Sequence, residues 1–65
     1  MLKDSREIIA RLKAEGFELV SVRGSHHKFR NAIMGKTVIV THPRKDIPVG
    51  TARSIYSQAG WPKDR

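Results

Sequence analysis

The sequence predicts a small α+β domain of order α-β-β-β-α, a three-stranded antiparallel sheet carrying two helices on one face. Three observations carry that expectation. A chain of 65 residues holds one thin core, so residues 1–65 are read as a single domain. Apolar residues recur at helical spacing near both ends and in a strand-like pattern between them. Glycines stand where the patterns change, at Gly16, Gly24, Gly35 and Gly60.

Asp4 followed three residues later by Glu7 has the spacing of a capping box, and Ile8, Ile9 and Leu12 follow at helical intervals. A helix over about 5–15 results, closed by Gly16, with its apolar stripe in the core and Arg6, Arg11 and Lys13 mostly in water. Aromatic and β-branched residues from Phe17 to Arg23 predict a strand over about 17–23, turned at Gly24-Ser25 into a second over about 26–31. Gly35 marks the next turn. The third strand, about 36–41, places Val38 and Val40 on a buried face and Ile39 on the other. Proline cannot continue a central ladder, so His42-Pro43 ends this strand and Arg44-Lys45-Asp46 follows as an exposed loop. Pro48 suits the first turn of a second helix over about 48–58, in which Ala52, Ile55, Tyr56 and Ala59 recur at three- and four-residue spacings before Gly60. Residues 62–65 read as a loose tail. Two helices on one sheet face leave the other face open.

Thirteen Lys and Arg against six Asp and Glu give a formal net charge of +7. That excess favours a polyanionic partner, and nucleic acid over an anionic membrane, because the cations gather around the strands and the Arg44-Lys45 loop rather than opposite an apolar helix face. The chain has no cysteine, which removes disulfides and thiolate metal sites and points to a reducing compartment, the cytoplasm. No apolar run approaches a signal-peptide core or a membrane span, so a soluble protein is expected.

The stretch Gly24-Ser25-His26-His27-Lys28-Phe29 carries the chemistry. Alternation along a strand sends His26, Lys28 and Arg30 to one face and His27, Phe29 and Asn31 to the other. With Phe29 in the core, His26 looks outward in company with two cations, and an imidazole there can take and give a proton near neutral pH. Gly24 and Ser25 build the turn, Gly24 because the turn demands a backbone conformation that a side chain would obstruct and Ser25 through a local or phosphate hydrogen bond. Lys28, Arg30, Arg44 and Lys45 are candidate phosphate-positioning cations. His27 reads as a packed or hydrogen-bonded histidine, and His42 as either a second proton donor or a capping or partner contact. His26 and His27 face opposite ways and cannot readily share an ion, so no metal and no other cofactor is expected, nor any small-molecule ligand. The rival reading is a basic module that holds RNA without cutting it.

The opening helix ending in Glu15-Gly16-Phe17, then Val22-Arg23-Gly24-Ser25-His26-His27-Lys28-Phe29, Thr37-Val38-Ile39-Val40, His42-Pro43-Arg44-Lys45-Asp46-Ile47-Pro48, Gly50-Thr51 and Gln58-Ala59-Gly60 form an ordered set. The set resembles the HicA-type toxins, the small mRNA-cleaving half of a toxin-antitoxin pair. That resemblance implies a fold like a double-stranded RNA-binding domain, ribonuclease activity on messenger RNA, and inhibition by a HicB-type antitoxin. The family's catalytic histidine directly follows Gly-Ser, which carries over to His26. The chain departs from the pattern at Thr41, where a proline often precedes the His-Pro pair, and at Trp61, where an aliphatic residue is common after Gly60.

Overall fold

The structure, a computed structural model, describes residues 1–63. Its elements are α1 (Ser5–Ala14), β1 (Glu18–Arg23), β2 (His26–Asn31), β3 (Lys36–Thr41) and α2 (Val49–Ala59), and the strands form one antiparallel meander in the order β1-β2-β3. The small α-β-β-β-α domain expected from the sequence is therefore what folds.

Asp4 caps α1, its carboxylate accepting from the Arg6 backbone N–H at 3.0 Å. The capping contact thus runs to the second helical residue rather than to Glu7. Gly16 takes φ 96° beyond the last turn, and the Phe17 N–H donates back to the Leu12 carbonyl at 2.9 Å. Glycine reaches that φ without strain. Phe17 drops into the core instead of starting β1. Pro48 precedes α2 as its N-cap, its carbonyl accepting from the Ala52 N–H at 2.9 Å.

The core is Ile8 and Leu12 of α1, Phe17, Phe29 of β2, Val38 and Val40 of β3, Ile47, and Ala52, Ile55, Tyr56 and Ala59 of α2, with Trp61 beyond it. All the inward strand residues lie on β2 and β3. Every residue of β1 is exposed, Leu19, Val20 and Val22 about half so, because the helices do not reach that edge. A bulge also interrupts β1: Leu19 pairs with Phe29 and Ser21 with Lys28, leaving Val20 as the extra residue. At the opposite edge the Gln58 side chain of α2 accepts from the Ile39 backbone N–H at 3.0 Å.

Polar side chains stitch the layers together. Buried Asn31 donates to the Glu15 carbonyl and accepts from the Met34 N–H, each at 3.0 Å, joining the end of α1 to the β2-β3 turn. The Trp61 indole N–H donates to Glu15 Oε1 at 2.7 Å, while the Arg11 guanidinium pairs with Glu15 Oε2 at 3.1 Å and lies over the Trp61 ring, 4.1 Å from its centroid. Arg11 is accordingly half-buried rather than free in water. The expected tail lies partly outside the described residues; Pro62 and Lys63 are exposed and have no regular structure. No helix among the described residues is long and apolar enough to cross a membrane.

Candidate functional site

The β1-β2 hairpin closes on the two-residue loop Gly24-Ser25, with Arg23 paired to His26 across it. Gly24 has φ 55°, and no non-glycine residue among those described has a positive φ. A glycine at the first of two loop positions is what a tight hairpin of the II′ kind takes. Open space surrounds the place a Cβ would occupy, so the demand for glycine comes from the backbone conformation of the turn itself.

From that turn, β2 alternates as its sequence requires. His26, Lys28 and Arg30 are exposed on the helix-free face, whereas Phe29 and Asn31 are buried and His27 is half-buried beneath the helices. Pairing then assembles the open face. Arg23 and Thr41 flank His26, Ser21 and Ile39 flank Lys28, and Glu18 and Thr37 flank Arg30. Ser21, Arg23, His26, Lys28 and Ile39 line a shallow depression. The ion pairs found among the described residues, Lys3 with Asp46, Arg6 with Asp4 and Arg11 with Glu15, leave Arg23, Lys28 and Arg30 out. Arg30 donates weakly to Thr37 Oγ1 at 3.4 Å. An exposed imidazole between two uncompensated cations is a place for a phosphate, since the cations hold the charge while the ring handles a proton.

The remaining candidates lie elsewhere. His42 sits on the helix side, its Nδ1 2.7 Å from Ser5 Oγ and its ring edge-on to His27, centroids 5.0 Å apart. Ser5 is fully buried, and its Oγ accepts from the Arg44 N–H at 2.9 Å while its own N–H donates to the Arg44 carbonyl at 2.8 Å. Arg44 and Lys45 line a separate cleft with Asp4, Arg6 and Pro43 at the start of α1. The structure therefore groups His26 with Lys28 and Arg30 but leaves His42, Arg44 and Lys45 apart from them. Sequence reasoning passed over Arg23 as a site residue, although its place before the turn gives it the strand parity of His26. No group of three or more His, Cys, Asp or Glu that could hold a metal ion occurs among the described residues.

Fold and site together define a small basic sheet domain that presents one histidine among cations on an uncovered face. A family model described as the HicA toxin of bacterial toxin-antitoxin matches residues 5–61, from the first residue of α1 to Trp61. The chain belongs to that family and is a toxin of a toxin-antitoxin system, with an antitoxin as its counterpart. No curated protein matches it.

Proposed function

We propose that this toxin is an endoribonuclease that cleaves messenger RNA without a metal ion, with His26 as its acid-base group. The observation that carries the reading is the exposure of His26 on the open sheet face, between Arg23 and Lys28 and with no carboxylate paired to either cation. In transesterification, the RNA 2′-hydroxyl oxygen bonds to phosphorus as the P–O5′ bond breaks. His26 serves by removing the 2′ proton or by protonating the departing 5′ oxygen, and positioned proton transfer of this kind contributes roughly 10² to 10⁴ in rate. Lys28, Arg30 and Arg23 offset the charge that develops on the phosphorane oxygens. Arg44 and Lys45 give a second, separate backbone contact.

A HicB-type antitoxin fits the same surface. An acidic patch laid over the open face would bury His26 and offset the unpaired cations together. Net charge leaves this chain dependent on its partner for complementarity, since it carries +7.

The test is cleavage of an end-labelled messenger RNA in EDTA by wild type and His26→Ala, with binding of the same RNA measured in parallel. Cutting by the wild type alone, with both proteins binding, is expected. If both bind and neither cuts, the protein is a non-catalytic basic RNA-binding module instead.

A further inference from the structure

We propose that His27 is a positioning residue for His26, acting through the Ser25 carbonyl; the inference rests on the nuclease reading above. Two donors converge on that oxygen. The His42 backbone N–H reaches it at 2.8 Å, from just beyond β3, and the His27 Nδ1 at 3.3 Å, from β2. The Ser25 carbonyl belongs to the same planar peptide as the His26 nitrogen, so fixing its oxygen fixes the plane from which the His26 Cα departs. The two donors therefore set the direction in which the His26 side chain leaves the sheet.

A carbonyl oxygen only accepts, so the contact requires a proton on His27 Nδ1 and leaves the lone pair of the neutral ring on Nε2. The ring has firm backing. It stands edge-on against His42, whose Nδ1 meets Ser5 Oγ at 2.7 Å, and Ser5 is buried in the first turn of α1 and bonded to the Arg44 backbone. A continuous series of contacts thus runs from α1 to the tip of the hairpin. Hairpin ends fray most easily, and His26 is the first residue of its strand. Packing alone would be met by any apolar side chain at position 27, as Phe29 meets it two residues further on. Only a donor at the δ position reaches the Ser25 oxygen.

The experiment compares wild type, His26→Ala, His27→Leu, His27→Asn and His27→Gln in single-turnover cleavage of an end-labelled messenger RNA, with RNA affinity and thermal melting recorded for each. Asn carries its N–H at the position of Nδ1, whereas Gln carries it one atom further out. His27→Leu is expected to cut about 10- to 100-fold more slowly, the scale of a misplacement near 1 Å, with RNA affinity unchanged. Asn should recover most of that loss and Gln should not. Wild-type cleavage by His27→Leu overturns the proposal, as does an Asn variant no faster than Leu. Should the Leu variant fail to fold, the Asn-Gln contrast decides. Independently of every variant, long-range ¹⁵N–¹H correlation of the wild-type imidazoles should show the Nδ1–H form at His27, and the Nε2–H form overturns the proposal. A wild type that does not cut, or a His26→Ala that cuts as well as wild type, overturns the nuclease reading and this inference with it. A dead His26→Ala beside a fully active His27→Leu removes the positioning role alone.

Discussion

His26 and His27 are neighbours in sequence and belong to opposite halves of the molecule. His26 stands exposed on a sheet face with cations on either side, while His27 is half-buried against His42 under the first turn of α1. Under the proposed function, the same imidazole is a reactive group in one place and a hydrogen-bonding strut in the other. Strand parity makes the assignment, since a slip of one residue would exchange the two faces. Because Phe29 and Asn31 are buried on the side of His27, such a slip would expose the core, and the register is held by that cost.

The comparison breaks most visibly at Phe29. Phe29→Ala should cost about 3–5 kcal/mol, against a total stability of roughly 0.05–0.15 kcal/mol per residue. Thermal melting by circular dichroism should show a protein largely unfolded at 37 °C. Lys28→Ala, one residue earlier on the other face, should stay within about 0.5 kcal/mol of wild type. Equal losses at the two positions would contradict a one-sided core. Next in size, His26→Ala should lower the cleavage rate by about 10² to 10⁴ and leave the melting temperature in place. A melting temperature that falls with the activity would mean that His26 is structural after all.

The cations sharpen the contrast between the open face and the α1 cleft. Lys28→Ala and Arg44→Ala should each lower the salt slope of RNA binding by about 0.7, the value for one phosphate contact on a single strand. Only Lys28→Ala should also slow cleavage of RNA already bound, because Arg44 lies in the cleft with Asp4, Arg6 and Lys45 rather than beside His26. Single-turnover rates at saturating protein separate the two effects. An equal drop at both positions would place the Arg44 loop within the reacting site.

Much of this was legible in the sequence because strand alternation and glycine punctuation are local signals. The faces of β2, the buried pair Val38 and Val40 against exposed Ile39, and the four inward residues of α2 all follow from spacing. What spacing could not supply was anything decided by distant partners. The Leu and Val content of β1 predicts a strand but says nothing of what covers it, and every residue of β1 is exposed. Ile47 follows a charged loop yet is buried in the core, and its N–H donates to the Lys3 carbonyl at 2.8 Å, a pairing between segments far apart in the chain. From spacing alone His42 reads as either a second proton donor or a capping or partner contact, and its contact with Ser5 places it on the helix side. The departure at Trp61 proves structural, since its ring is buried against Tyr56 and its N–H is bonded to Glu15.

Glu15 provides the finest probe of the helix-covered half. The Trp61 N–H above all, aided by Arg11, holds its carboxyl below the ordinary glutamate range against a desolvation that acts in the opposite direction. A carboxylate whose folded-state pKa is depressed adds stability above its unfolded value, about 4.3, and that stability is lost as pH falls through the folded value. Glu15→Gln keeps an oxygen for Trp61 but gives up the charge facing Arg11. The melting-temperature gap between wild type and Glu15→Gln should therefore be steady near neutral pH and close as the solution is acidified through and below the ordinary carboxylate range. The gap should be small, because the Arg11 pair is more than one-third solvent-exposed on both sides and screened accordingly. A gap that widens on acidification would reverse the sign and show that the Glu15 charge opposes folding. Cleavage by the Gln variant should match wild type throughout, because Glu15 closes the helix side of the molecule and His26 lies on the other.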